Sequence, residues 1–201
     1  MRMIPAPDRD LAAPDAALVH ACARGDRNAF DRLVDRHGDA LFRFARRQCG
    51  SAREAEDALQ DGLLAAWRGA ATFRGEASAR AWLFQVVLHA CRRRLRRRSG
   101  EPASHAPVEE AEGLGDGQPA ADERAADLQA REALTRALAE LPEESREVLV
   151  LRDVEGIPGA DAAAILGIGV AAMKSRLHRA RLELKERVEA ILGHPLRETA
   201  S

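Results

Sequence analysis

The chain has 201 residues, 31 Lys+Arg against 32 Asp+Glu, and a formal charge of -1. That length admits one sizeable core or two small ones, and the near-neutral total excludes a polycation that coats nucleic acid by charge alone. Hydrophobic residues make up 46%, much of it alanine; aromatics are 3% and tyrosine is absent, which favours helix over sheet. The three cysteines, Cys22, Cys49 and Cys91, are far apart and odd in number, so a disulfide framework is not expected and a reducing compartment is. Without an apolar run near eighteen residues or a charged-then-apolar N-terminal signal, the expected location is cytoplasmic.

The charges are sorted into blocks. Arg92, Arg93, Arg94, Arg96, Arg97 and Arg98 form a basic run, whereas Glu101 to Asp127 carries eight carboxylates against Arg124 alone. This segregation suggests a polyanion-facing surface beside an acidic tether.

In chain order, residues 1–15, with prolines at 5, 7 and 14, read as a mobile tail. A short helix is expected from Ala16 to Ala23. From Asn28, Phe30, Leu33, Val34, Leu41, Phe44 and Ala45 share one helical face as far as Gly50. Ser51 and Glu54 have capping-box spacing, so a new helix starts there and runs to about Arg68. It buries Ala55, Ala58, Leu59, Leu63, Ala66 and Trp67 and presents Asp57, Gln60, Asp61 and Leu64. A leucine exposed beside carboxylates suits a partner surface better than a plain solvated face.

A turn around Gly75 leads to a helix from Ala79 through the arginine run. Its inward set is Leu83, Val86, Val87, Ala90 and Leu95; Arg80, Gln85, His89, Arg92, Arg93 and Arg96 point outward. Phe73, Trp82 and Phe84 lie among these cations. Rings beside guanidinium groups suit a single strand, since bases stack on the rings and phosphates meet the charges, though Trp82 and Phe84 fit a core equally well.

Residues 99–121 lose periodicity and are expected to be an acidic linker between two helical domains, 16–98 and 122–193, with 194–201 a second tail. A helix from Asp122 to Glu140 is expected to bury Leu128, Leu134, Leu138 and Leu141. Pro142, Glu143 and Glu144 start another, which runs to about Val154 before Gly156. Then come Ala160 to Leu166, a Gly167-Ile168-Gly169 turn, and a long helix from Val170. Met173, Leu177, Ala180, Leu184, Val188 and Ile191 form its apolar row, opposite Lys174, Ser175, His178 and Arg179, with Arg181 and Lys185 nearby. This is the plan of a helix-turn-helix reader of the major groove.

Two blocks together resemble one family, the extracytoplasmic-function (ECF) subfamily of bacterial RNA polymerase sigma factors. They are Ala55-Glu-Asp-Ala-Leu-Gln-Asp61 with the stretch from Phe73 to Leu83, and Leu141-Pro with Glu147 to Gly156 and Lys174 to Arg181. The resemblance implies an all-α protein with a sigma region 2-like bundle and a region 4-like helix-turn-helix domain, which binds core RNA polymerase and directs it to promoters. The polymerase clamp would meet Asp57, Gln60, Asp61 and Leu64, and the flap of the other large subunit would carry the C-terminal domain. The unpaired minus-10 element would lie on Phe73, Arg74, Ser78, Arg80, Trp82, Gln85, His89, Arg92, Arg93 and Arg96. Duplex minus-35 DNA would meet Lys174, Ser175, Arg176, His178, Arg179 and Arg181, with Arg176 and Arg181 toward the phosphates. An anti-sigma factor is a further implied partner.

The chain departs from the family pattern at Pro158 to Asp161, at Ala171-Ala172 and at His89, which points to weaker minus-35 affinity and an altered minus-10 preference. The acidic linker is either a tether or a nucleic-acid mimic in the polymerase channel. No cofactor, metal or catalytic role is expected: His20 and Cys22 lack partners for a zinc site, and the six histidines are scattered. The alternative to a sigma factor is a stand-alone helix-turn-helix regulator with an N-terminal dimerisation domain. A helical adaptor without a DNA role leaves the arginine run unexplained.

Overall fold

A computed structural model describes residues 14–98 and 121–195, the side chains of 98 and 121–127 excepted. Residues 1–13 of the expected N-terminal tail, nearly all of the acidic linker and the last six residues fall outside this range; Asp15, expected in the tail, opens the first helix. Among the described residues every regular element is helical: α1 (Asp15–Ala23), α2 (Arg27–Gln48), α3 (Ala52–Gly69), α4 (Ala79–Arg98), α5 (Ala121–Glu140), α6 (Glu143–Leu149), α7 (Gly159–Leu166) and α8 (Val170–Leu192). A 3-10 turn over Ala70–Thr72 follows α3, and a π-helical turn over Val150–Val154 extends α6.

Local chemistry sets most of these boundaries. Asp26 caps α2 by accepting from the Ala29 amide at 3.2 Å, and Ser51 caps α3 by accepting from the Glu54 amide at 3.2 Å. The Ser78 hydroxyl does the same for Ala81 at 3.1 Å, so α4 begins directly after the turn at Gly75, whose φ is +73°. Each cap satisfies an amide that the first helical turn leaves orphaned. Pro142 stands just outside α6, with Glu143 and Glu144 in the first turn at the positive end of the helix dipole.

In the N-terminal half α1 to α4 enclose an aromatic-centred core. Phe44 and Phe84 are fully buried and meet edge to face at 5.1 Å, and Phe30 meets Trp67 at 5.3 Å. Of the two aromatics left open by the sequence, Phe84 is therefore core, whereas Trp82 is half-buried. α3 packs tightly on α4, where Gly62 leaves so little room that a Cβ would stand 2.9 Å from Val87 Cγ2.

In the C-terminal half α8 buries Met173, Leu177, Ala180 and Val188, with Leu184 and Ile191 half-buried. The expected apolar row is thus the packed one. The expectation for α5 holds for Leu138 and Leu141 and is overturned for Leu128 and Leu134. Leu128 and Leu134 are exposed, at 58% and 47%, and the buried positions are Ala133, Ala137 and Leu141, with Leu138 half-buried. Ala133 and Ala137 form a small cluster with Val188 of α8, so small side chains let the two helices approach closely and turn two leucines outward. Burial here follows the shape of the partner helix rather than the most apolar stripe.

The two halves do not stand apart. One continuous buried cluster runs from Phe44 and Phe84 to Leu151, Ile157 and Met173, and α4 lies against α7.

Candidate nucleic-acid and polymerase interfaces

The turn of the C-terminal helix-turn-helix is built by a left-handed glycine. Gly167, at φ +70°, ends α7; its amide and that of Ile168 return to the carbonyls of Ala164 and Ala163. This is a conformation that glycine adopts without a Cβ penalty. The chain then enters α8 at Val170. Ala162 and Ala163 are buried, and Gly159 lies where a Cβ would come within 3.2 Å of Met173 Cε, so α7 and α8 pack closely through small residues. Ala171 and Ala172 are exposed at the start of α8.

Lys174, Ser175, His178 and Arg179 all emerge on the exposed face of α8. Arg176 and Arg181 are engaged otherwise. Arg176 lies 3.0 Å from Glu144, and Arg181 makes a two-pronged pair with Asp153 at 2.8 and 2.6 Å. That pair raises the affinity of Arg181 for its proton and ties α8 to the π-helical turn.

In the N-terminal half the outward residues of α4 divide into two groups. His89, Arg93 and Arg96 are exposed. Burial and the charges of Arg92 and Arg93 push the His89 pKa down. Gln85 is half-buried, and Arg74 is exposed in the turn before α4. Phe73 is 7% exposed, covered by Trp82 at 5.5 Å and His20 at 5.7 Å.

The second group faces the C-terminal half. Arg92 donates from Nε and one terminal nitrogen to the two carboxylate oxygens of Glu147, both at 2.6 Å, and Glu147 is 1% exposed. This hydrogen-bonded pair raises the Arg92 pKa against the opposing effect of burial. Arg80 donates to the Glu155 carbonyl at 2.8 Å and to its carboxylate at 3.3 Å. Burial pushes the Glu155 pKa up, while Arg80, Arg47 and Arg43 pull it down. The Ser78 hydroxyl lies 3.4 Å from Asp161, and Arg146 reaches the Gln48 carbonyl at 3.4 Å. A buried ion pair of this kind costs desolvation on both sides, and removing one partner strands a charge.

On α3, Gln60 and Leu64 are exposed, Leu64 at 46%. Asp57 and Asp61 share one cation, Arg94, at 3.0 and 2.8 Å. The sequence reading did not anticipate Arg94 as a partner of that face, nor Glu147, Glu155 and Asp161 as partners of α4. Glu147 left one trace: a carboxylate directly preceding the apolar run Val148 to Leu151, where a solvated side chain is out of place.

A helix-turn-helix joined to an arginine-faced helical bundle points to a class, the sigma-70-type transcription initiation factors. Sigma-70 region 2 matches residues 33–101 and Sigma-70 region 4 matches residues 131–184. The chain is 43% identical over 170 residues to the ECF RNA polymerase sigma factor SigM of Mycobacterium tuberculosis, covering 85% of this chain and 82% of that protein. It is 33% identical to the RNA polymerase sigma factor CnrH of Cupriavidus metallidurans, covering 88% and 95%. Among solved structures, CnrH in complex with the cytosolic domain of CnrY superposes with a TM-score of 0.65, covering 88% of this chain and 97% of that one at 33% identity. The sigma factor RpoE of Bartonella quintana, bound to the anti-sigma factor NepR, gives 0.67 at 27% identity, covering 80% and 96%. The chain belongs to the ECF sigma factors and directs RNA polymerase to promoters.

Proposed function

We propose that the two halves divide promoter recognition between them. The C-terminal half, 122–193, reads minus-35 duplex through Lys174, Ser175, His178 and Arg179, with Arg176 and Arg181 toward the phosphates. The N-terminal half, 16–98, holds the unpaired minus-10 strand on the turn after α3 and the outer face of α4. Asp57, Gln60, Asp61 and Leu64 form the polymerase-facing surface. The observation that carries this reading is the exposed quartet on α8 directly after the Gly167 turn. Four polar side chains spaced i, i+1, i+4 and i+5, and so on one side of the helix, backed by a buried apolar row, fit a helix that lies in a major groove with its base-reading edge outward.

The protein acts without chemistry of its own, in the cytoplasm, as an adaptor between polymerase and DNA. Two of the similar solved structures are sigma factors bound to CnrY and to the anti-sigma factor NepR, which supports an anti-sigma partner here as well. The stand-alone regulator is the weaker reading, because matches to regions 2 and 4 occur in one chain.

Run-off transcription with core polymerase on a genomic library tests this and finds the promoter. The wild type supports initiation, and specific DNA retention requires core enzyme. Arg179→Ala weakens binding to the cognate minus-35 element by about 1–3 kcal/mol while sparing scrambled sequences. Equal loss on every sequence would reduce Arg179 to a phosphate contact. Specific retention by the chain alone would restore the stand-alone regulator.

A further inference from the structure

Two of the three cysteines meet. Cys49 closes the C-terminal end of α2, where its amide returns to the Ala45 carbonyl at 2.8 Å, and Cys91 lies on α4, which packs against α2. Their thiols are in hydrogen-bond contact. We propose that Cys49 and Cys91 form an oxidisable dithiol: a hydroperoxide reacts at Cys49, and Cys91 resolves the product to a disulfide that staples α2 to α4.

The two sulfurs are unequal in ways that fit those parts. Cys49 is half-buried and within reach of a small oxidant, whereas Cys91 is fully buried in the same core as Phe44 and Phe84. Contact with Cys91 lowers the Cys49 pKa, and the Arg94 and Arg146 guanidinium groups lower it further against burial and the charge of Glu54. The same contact and burial raise Cys91, so Cys49 supplies the thiolate and Cys91 the thiol. A more acidic, accessible thiol beside a second sulfur is the arrangement of a peroxide-reactive cysteine with its resolving partner. Among the described residues no group of three His, Cys, Asp or Glu side chains could hold a metal ion, which sets the pair apart from a zinc-thiolate site.

The chemistry closes without a further reactant. The Cys49 thiolate attacks one oxygen of hydrogen peroxide, the O–O bond breaks, and the released hydroxide takes up the proton that Cys49 gave away and leaves as water. Cys49 is now a sulfenic acid, oxidised by the two electrons that the peroxide has gained. The Cys91 sulfur attacks it, the S–O bond breaks, and hydroxide leaves with the Cys91 proton as a second water. A dithiol reductant reverses the S–S bond by exchange. Oxidation of Cys49 therefore stops at a reversible step, as in the transient disulfides of reducing compartments. The cross-link closes a loop that contains all of α3, and so restricts the unfolded chain.

The test uses the full chain, reduced, freed of reductant and titrated with hydrogen peroxide. Thiol counts in denaturant, peptide maps and thermal melts are taken before and after oxidation, and again after dithiothreitol. Free thiols are expected to fall from three to one, with Cys49 and Cys91 joined in one cross-linked peptide pair, Cys22 still reduced, a higher melting temperature, and full reversal by dithiothreitol. In Cys91→Ala, dimedone should trap a sulfenic acid at Cys49; in Cys49→Ser, Cys91 should stay reduced. A wild-type Cys49 that proceeds to sulfinic acid while Cys91 remains a thiol overturns the proposal, as do disulfides between chains or oxidation of Cys91 in Cys49→Ser. A cross-linked chain whose melting temperature is unchanged or lower overturns the staple. Should either variant fail to fold, the wild-type peptide map and melt decide.

Discussion

Arg94 and Asp61 lie 2.8 Å apart, joining the arginine run of α4 to the face of α3 that carries the polymerase-binding candidates. The same guanidinium lies 3.0 Å from Asp57, so one cation partly neutralises two carboxylates that a partner would otherwise meet bare. All three side chains are partly exposed, which limits each pair to about 0–1 kcal/mol. Arg94→Ala is expected to lower the melting temperature only slightly. It should alter core-polymerase affinity by more than it alters stability, and Arg94→Lys should restore most of the wild-type value. Surface plasmon resonance with core enzyme, beside a thermal melt, checks this; equal small effects on both would show Arg94 to be a stability contact alone.

Gly62 lies at a tight contact of α3 with α4. A methyl placed there meets Val87 Cγ2 at 2.9 Å and Val87 Cα at 3.1 Å, and the second of these is backbone. Overpacking of this kind costs about 1–3 kcal/mol, against about 1 kcal/mol that alanine returns through helix propensity. Gly62→Ala is expected to lower the melting temperature modestly and Gly62→Val severely. An unchanged melting temperature for Gly62→Val would mean that the two helices separate at no cost.

The first helix is tied to the second through Asp15, which accepts from Arg36 at 2.9 Å and lies 2.8 Å from His37. Burial pushes the Asp15 pKa up, but the hydrogen bonds and charges of Arg36 and His37 outweigh it, so its folded pKa lies below 3.8. A depressed folded pKa means that the unfolded chain binds the proton first; this contribution is complete above pH 3.8 and is lost as pH falls through the folded value. Denaturant midpoints measured from pH 6 to pH 2.5 should therefore fall less for Asp15→Asn than for the wild type. Parallel curves would remove Asp15 from the acid response.

The three thiols are expected to differ in reactivity. Burial raises the pKa of Cys22. Cys91 is raised by its hydrogen-bonded contact with Cys49 and by burial, while the same contact lowers Cys49, with Arg94 and Arg146 adding favourable charge. Since the thiolate is the nucleophile, iodoacetamide on the native chain should label Cys49 first. Peptide mapping that finds Cys22 or Cys91 labelled first would contradict this ordering.

Much of this protein follows from short-range chemistry. The period of Met173, Leu177 and Ala180 places the apolar row of α8. The Ser51 and Gly167 positions mark where helices start and stop, since capping bonds and left-handed turns involve residues only a few positions apart. The paired motifs around Asp57 and Lys174 carried the family. Leu128 and Leu134 of α5 were misplaced because a helix with apolar residues on more than one side has no internal rule for which side is buried; Val188 of α8 packs on alanines.

How the halves meet is a matter of long-range packing. Glu147 and Arg92 are separated by 55 positions, and Arg80 and Glu155 by 75. Residue order alone sets which side chains carry charge and which helical face presents them. Whether a given arginine faces water, a phosphate or a carboxylate depends on which surfaces approach within 3 Å, and a periodicity of 3.6 residues holds no information about contacts across that distance.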